Sequence, residues 1–286
     1  MYYKERFGEK TMRQITVRDI VKIMRDWAPE NWAEGFDNPG LLAGNMDAAV
    51  TGVYIALDAR VRTVRRAKEA GCNLVITHHP LFLGGSVKRF CENSGNGDID
   101  TVIECVKTGT ALYAAHTNLD RASGGVNDCL REALGWLDAG VLSDDYDCGD
   151  ENMPRGLARL ARLPRVITLR EAAEHTARCL GISNAEYVGD DEMPVSVAAL
   201  CGGSGGSMIE EALHAGAQLL VTGEAKHHER VAAQEAGLGL IVAGHAETEQ
   251  VVLPKVAASL QTALDAVQCK LPVIYEKDSA VTRRTL

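Results

Sequence analysis

Asn73-Leu-Val-Ile-Thr-His-His-Pro80 decides how the rest of the chain is read. Its apolar run, residues 74–76, is too short for a helix and reads as a fully buried strand. The segment before it, residues 61–71, has helical spacing and stops on a glycine. Two adjacent imidazoles, His78 and His79, therefore stand at the carboxyl end of a strand. In open α/β sheets that edge is where ligands bind. Neighbouring residues on a strand point to opposite faces. Pro80 takes the chain out of the sheet directly after His79, so both rings can reach one cleft, or two ions side by side within it. An isolated His-His pair can equally be two ordinary loop residues, and the decision falls to the surrounding sequence.

Outward from this stretch, strands and helices alternate. Thr16-Val-Arg-Asp19 is a capping box that opens a helix. The pattern predicts helices over 16–27, 61–71, 99–107, 125–134, 169–180, 207–215, 226–236 and 247–260. Strands are expected at 50–57, 74–77, 111–115, 157–163 (an edge strand), 186–188, 195–200, 219–222, 240–243 and 273–275. Turn-rich loops fill 35–44 and 84–98. Such alternation means an α/β fold with a largely parallel or mixed sheet.

The two halves also repeat. Residues 64–77 align with 209–222 at a constant offset, with identities at Ala67/Ala212, Ala70/Ala215, Gly71/Gly216, Leu74/Leu219 and Thr77/Thr222. Residues 112–120 align with 241–249 at an offset smaller by 16 residues, most simply lost from the loop at 84–98. Each half thus carries a strand followed by His-x-x-x-acid: His116/Asp120 and His245/Glu249. His78-His79 lies opposite Gly223-Glu224. The expected architecture is two related, interlocked α/β lobes whose strand ends face one cleft. Its boundaries are an N-terminal extension at 1–15, a first lobe at 16–137, an acidic connection at 138–155 and a second lobe at 156–286. The C-terminal part is expected to complete the first lobe.

Composition narrows the function classes. The 286 residues are 46% hydrophobic and 24% charged, as in a soluble globular protein. No apolar run approaches the roughly 18 residues of a membrane span. Residues 1–10 lack the apolar centre of a signal peptide, and Met12 is an alternative start that would leave 1–11 as a loose extension. A cytoplasmic location is expected. The eight cysteines contain no C-x-x-C pair and read as reduced, packed thiols. The net charge of −9 opposes non-specific binding to nucleic acid or anionic lipid.

Five side chains of metal-ligand type now stand at strand ends: His78, His79, Asp120, His245 and Glu249. Imidazole with carboxylate suits Zn, Fe, Mn, Co or Ni, and the lack of cysteine ligands disfavours a structural zinc site. Five protein ligands exceed the needs of one catalytic ion. They suit two divalent ions bridged by a carboxylate, an arrangement that activates water for hydrolysis. Glu224 and His116 are placed to act as outer ligand partners or as a general base. Singly, each histidine could be a core residue and each acid a helix cap; the shared pattern of both halves weakens that joint alternative. The Gly202-Gly-Ser-Gly-Gly206 turn is either an anion cradle or a plain tight turn. It contains G-x-S-x-G, but no Asp/His pair follows in hydrolase order. Lys226-His-His-Glu229 opens a helix whose His227 and His228 either line the cleft or are solvated. His175 and His214 read as structural or surface residues.

Asp-Asn-Pro-Gly-Leu (37–41), Thr-His-His-Pro-Leu-Phe (77–82), His-Thr-Asn-Leu-Asp (116–120), Gly-Gly-Val-Asn-Asp (124–128), Thr-Gly-Glu-x-x-x-His (222–228) and Gly-His-x-x-x-Glu (244–249) together carry a resemblance. Over about residues 16–265 the chain resembles the dinuclear metal-centre hexameric proteins. These are also called NGG-one-interacting-factor-three-like, and many are labelled GTP cyclohydrolase I type 2 homologues. The resemblance implies a toroidal homohexamer with metal sites facing an inner cavity. It implies one ion on His79, Asp120 and Glu249 and a second on His78, His245 and Glu249. His116 and Glu224 match neighbouring positions and are not carried over as ligands. The chain is too short for the extra central domain of the long members. Glu247 stands where relatives more often have a small residue, and its role is unassigned. The expected function is a metal-dependent hydrolase of a small polar or nucleotide-like substrate, cyclohydrolase-like by resemblance only. The alternative is a non-catalytic ring that stores or delivers metal, or an interaction scaffold. A nucleic-acid clamp, suggested by the ring alone, is opposed by the negative charge.

Overall fold

Short apolar runs, buried on both faces, build two separate sheets. The structure, a computed structural model, describes residues 14–84, 97–142, 148–154 and 156–276. Residues 1–13 of the extension expected at 1–15, nearly all of the loop at 84–98, part of the connection and the polar tail lie outside the described residues. Strands β1 (Gly40–Ala43), β2 (Val53–Ala56), β3 (Leu74–Thr77) and β4 (Ala111–Ala114) come from the first half. The second half supplies β5 (Leu137–Leu142), β6 (Ala158–Thr168), β7 (Glu186–Val188), β8 (Pro194–Cys201), β9 (Leu219–Thr222) and β10 (Gly239–Val242). A last strand, β11 (Val273–Tyr275), ends the described chain. The first sheet has the order β1-β4-β3-β2-β11, and the second β5-β6-β8-β9-β10-β7.

The repeat read from sequence is a repeat of topology. In one sheet β2, β3 and β4 run parallel, with β1 antiparallel beside β4. In the other, β8, β9 and β10 run parallel, with β7 antiparallel beside β10. Helices α2 (Val61–Glu69) and α3 (Gly97–Thr108) link the first set, as α7 (Ile209–His214) and α8 (His227–Glu235) link the second. Residues 78–96 join β3 to α3, whereas only 223–226 join β9 to α8, and this accounts for nearly all of the change in offset between the halves. Tyr54, Val75 and Leu112 face one side of the first sheet; Val53, Ile55, Leu74, Ile76 and Tyr113 face the other. Both sides are covered, so these strands carry no polar alternation. Full burial of a leucine such as Leu74 or Leu220 contributes on the order of 2 kcal/mol.

The lobes interlock through chain exchange. Helix α10 (Leu253–Ala266) packs with α1 (Val17–Trp27) in the first core, although it follows the second sheet. Strand β11 then pairs with β2, and Glu276 closes on Arg66. Helix α5 (Val126–Ala133) contributes Val126 and Cys129 to the first core and Leu130 to the second. Its Asn127 gives its amide N–H to the Leu157 carbonyl (2.8 Å) and accepts from the Gly202 amide (2.7 Å). Buried Arg159 on β6 reaches Asp128 (3.0 Å) and the Arg121 and Ala122 carbonyls. The Gly-Gly-Val-Asn-Asp motif is thus the joint between the lobes.

Four expectations need correction. Residues 40–43, read within the turn-rich loop at 35–44, form β1, a short edge strand beside β4. Residues 137–142, read partly as the surface connection, form β5; their mostly exposed side chains give no hydrophobic alternation to detect. The strand expected at 157–163 as an edge runs to Thr168 and is internal, because β5 takes the edge. The helix expected at 247–260 is two: α9 (His245–Glu249) and α10, separated by a 3-10 turn at Gln250–Val252. Pro254 opens α10, where a missing N–H costs nothing.

Gly125 sits where a side chain has no room, since a Cβ would lie 1.8 Å from the Leu119 carbonyl oxygen. Gly125→Ala is expected to lower the unfolding free energy by about 3 kcal/mol in urea titration, at the upper end of overpacking effects. An unchanged urea midpoint would contradict this placement of the joint.

Candidate metal centre

The carboxyl ends of both parallel strand sets face each other, and the ligand-type residues meet between them. His78 and His79 follow β3, and Asp58 follows β2. His116 precedes α4 (Thr117–Arg121), which carries Asp120 one turn on. His245 and Glu249 occupy the two ends of α9, again one turn apart and so on one helix face. Gly244 enters that helix at φ +96°, a conformation that favours glycine. The five residues expected as ligands are brought together, as are His116 and Glu224. Two groups of donors lie close enough to share an ion: His78, His79 and His116, and His79, His245 and Glu249.

All four imidazoles are built in one way. The Nδ1 of His78 meets the Ala115 carbonyl at 3.0 Å, that of His79 the Asp58 carboxylate at 2.9 Å, and that of His116 the Asp37 carboxylate at 2.8 Å. The Nδ1 of His245 faces Glu224 at 3.3 Å. Holding Nδ1 from outside fixes ring orientation and leaves Nε2 for a metal. The His79 Nε2 lies 2.9 Å from Glu249 Oε2 and 3.2 Å from His245 Nε2. The His78 Nε2 is 3.6 Å from both Asp120 Oδ1 and Glu249 Oε1.

That His78 nitrogen tests whether a metal fits. It is buried and makes no hydrogen bond. Two groups forming a hydrogen bond would close to about 2.8 Å. Donors around one tetrahedral ion, each about 2.0–2.1 Å from it, stand roughly 3.3 Å apart. The observed spacing matches donors waiting for an ion. Charge agrees: the largely buried Asp37, Asp58, Asp120 and Glu249 and the exposed Glu224 touch or closely approach the four histidines. So much buried negative charge calls for cations. The arrangement has the donor set and spacing of a dinuclear site. Glu249 Oε1 faces both His78 (3.6 Å) and His245 (3.2 Å), and Oε2 faces His79 (2.9 Å).

Protons stand in part for that charge. Burial alone would lower the His79 pKa, but hydrogen bonds to Asp58 and Glu249 carry it up to about 10. Burial likewise opposes charge on His78, and Asp120 and Glu249 outweigh it to raise the pKa. On His245 the hydrogen bond to Glu249 raises it. Burial would raise Glu249, yet His78, His245 and His79 hold it well below the usual carboxylate range. Burial raises Asp120 despite His78 and His116.

The glycine turn at 202–206 is packing against this centre rather than an anion cradle. The amides of Gly202, Gly203 and Gly205 are spent on Asn127, Thr248 and Thr222. A Cβ on Gly203, at φ +61°, would lie 2.2 Å from Glu249 Oε1. Ser204 instead donates its hydroxyl to Glu224 at 2.9 Å. His227 and His228 are exposed and belong to neither donor group. His175 Nε2 donates to the Leu134 carbonyl at 2.8 Å, and the ring stacks on Trp136. Asp58 escaped the sequence reading as a site residue, although it ends the strand beside His79's own. Asp37 stood within a recognised motif, but nothing local tied it to His116, 79 positions away.

The family model described as Duf34/NIF3 (NGG1p interacting factor 3) matches residues 15–279. A Clostridium perfringens protein named GTP cyclohydrolase 1 type 2 homolog is 33% identical over 255 residues, 87% of this chain and 93% of that protein. NGG1-interacting factor 3 of Saccharomyces cerevisiae is 28% identical over 268 residues, 87% of this chain and 92% of that one. Among solved structures, Staphylococcus aureus protein SA1388 superposes with a TM-score of 0.85 at 25% identity, covering 95% of this chain and 99% of that one. Reduced HcgD from Methanocaldococcus jannaschii superposes with a TM-score of 0.74 at 27% identity, covering 93% of this chain and 99% of that one. Matched along nearly its whole length, the chain belongs to the Duf34/NIF3 family.

Proposed function

We propose that the protein is a dinuclear metal-dependent hydrolase of a small polar or nucleotide-like substrate. The observation that supports it most is the buried, unbonded His78 Nε2 facing Asp120 and Glu249. His78, His79, Asp120, His245 and Glu249 would hold the ions. When bound, two divalent ions would supply an acidified water and an electrophile for the substrate oxygen. Identity among Zn, Fe, Mn, Co and Ni is left to availability by this donor set.

The chain's own residues set the rest. His78 and Glu249 form the floor, with side chains 1% and 5% exposed, while His79 and His245 face the open side at 24% and 30%. Glu224, 58% exposed and hydrogen-bonded by Ser204, stands on that open side and is placed to receive a proton. A cavity of about 370 Å3 lined by Ser204, Ser207, Glu224 and Lys226 opens next to it. Larger hollows beside Leu264 and Trp136 are lined by none of the candidate metal ligands. The names of the relatives make a cyclohydrolase the first substrate class to test.

The abundance of donors favours a second reading, a ring that stores or delivers metal. In either case we place the protein in the cytoplasm as a homohexamer. The resemblance supports the ring, and exposed Leu137 and Val141 on β5 and Val166 on β6 suit an assembly. Among the described residues no helix is long and apolar enough to cross a membrane.

Elemental mass spectrometry of protein purified without chelator should find about two metal equivalents per chain, as a two-ion site requires. His79→Ala should lose at least half of them. Protein that takes up no Zn, Fe, Mn, Co or Ni on reconstitution would refute both readings. With metal bound, a nucleotide and phosphoester screen that yields turnover, lost in Glu249→Gln, separates the hydrolase from the store.

Metal-free protein should also lose stability as pH rises. His79 has its pKa raised to about 10 against 6.5 when unfolded. Its contribution is therefore complete below the ordinary histidine value and disappears as pH climbs through the raised one. Denaturant midpoints of chelator-treated protein should fall between about pH 6.5 and 10. Bound metal displaces that proton, so the loaded protein should show a flatter profile over the same window.

A further inference from the structure

We propose that the cavity beside Glu224 takes a phosphate group of the substrate, with Lys226 as the residue that selects it. This rests on the hydrolase reading above and names a substrate class for the same site. The substrate carries its phosphate apart from the bond that reacts.

The first observation is position. The cavity adjoins the metal centre yet is lined by none of the proposed metal ligands. Ser204 and Glu224 line it, and both reach the centre: Ser204 through its hydroxyl on Glu224 (2.9 Å), Glu224 through His245 Nδ1 (3.3 Å). A group seated there stands beside the ions rather than on them. Its volume of about 370 Å3 takes a phosphate and the atoms that join it to the reacting end.

The second is charge. Five carboxylates, Asp37, Asp58, Asp120, Glu224 and Glu249, stand around the histidines, and two divalent ions would not fully offset them. An anion that approaches the open side therefore needs a cation of its own. Glu224, Lys226, Glu229 and Arg230 are the charged residues of the cavity wall. Both carboxylates are engaged elsewhere. Glu224 is held by Ser204 and His245. Glu229 turns back to accept the Lys226 amide at 2.6 Å. It has room because residue 206 is glycine, where a Cβ would lie 2.2 Å from Glu229 Oε2. Arg230 spends Nη1 on Glu186 (2.8 Å) and Nε on the Ala225 carbonyl (3.2 Å), which fixes it in the wall. Among the described residues Lys226 forms no ion pair.

The third is chemistry. Lys226 and Arg230 are four residues apart at the start of α8 and so share one face. Exposed Ser207 adds a hydroxyl to the same wall. A lysine ammonium is a compact charge with three donors and suits a phosphate approached from any side. Binding a remote phosphate there would orient the reacting end at the ions, which is how non-reacting parts of a substrate raise turnover.

The test uses the full chain loaded with metal. Isothermal titration calorimetry compares inorganic phosphate with trimethyl phosphate, its uncharged relative. Phosphate should bind and trimethyl phosphate should not. Lys226→Ala should weaken phosphate by about tenfold, as for loss of one hydrogen bond to a charged group. Lys226→Glu should weaken it further, and Lys226→Arg should recover most of the affinity. Lys68→Glu, the same change of charge on α2, should bind as the wild type does. Metal content, measured on each sample, should stay constant, because Lys226 holds no ion. Unchanged phosphate affinity in Lys226→Glu, or metal-loaded wild-type protein that binds no phosphate, would overturn the assignment and leave the dinuclear centre standing. Wild-type protein that takes up no metal would remove the hydrolase reading and, with it, the substrate for this cavity to select.

Discussion

Burying negative charge is the constraint around which this molecule is arranged. Asp37, Asp120 and Glu249 sit in or at the edge of the protein interior, where an unpaired carboxylate costs several kcal/mol. Imidazoles offset part of that cost, and each imidazole must in turn be aimed. The aiming is done from outside, through Nδ1, by Asp58, Asp37, Glu224 and one backbone carbonyl. A strand end, a helix turn and a glycine loop from each half must all stop in the right place for this to work. The strictness shows at Gly203 and Gly223, where even a methyl group would collide with the Glu249 carboxylate or with Thr248 and the His245 backbone.

The fold meets that constraint by making neither lobe independent of the other. Asn127 bonds to backbone on both sides of the joint, and Arg159 ties β6 to the turn after Asp120. Helix α10 and β11 carry the end of the chain back into the first core. These connections tie together the two sheet edges that hold His79 and His245, whose Nε2 atoms stand 3.2 Å apart. Donors from different lobes can meet at that distance only if the lobes are fixed relative to each other.

Much of this was legible in the chain. Strands buried on both faces advertise themselves as apolar runs, and Leu74–Thr77 and Leu219–Thr222 were read to the residue. Asp120, His245 and Glu249 stand out because a local pattern, His-x-x-x-acid, occurs twice, and His78 and His79 because they adjoin at the end of a buried strand. What escaped reading had no local pattern. β5 is an edge strand with five of its six residues exposed, so composition there looks like loop. Asp58 and Asp37 were visible as acids at a strand end and in a turn, but their meaning depends on rings 21 and 79 residues away. The break after Glu249 was hidden because residues 247–260 keep helical spacing, while the 3-10 turn at 250–252 redirects the axis.

Strand β11 has a consequence for the order of events during synthesis. It pairs with β2, more than two hundred residues earlier, and α10 supplies Val256 and Leu260 to the same core. While the ribosome is still making the second sheet, the first lacks an edge strand and a covering helix. β2 is then an open edge, the kind of surface that invites pairing with another chain. Long-range pairing of this sort is slow, because the loop entropy is spent before the contact forms. The metal donors of the first half are thus translated early and assembled late. Any ion captured before α9 and α10 emerge meets His78, His79, His116 and Asp120 without their partners from the second lobe.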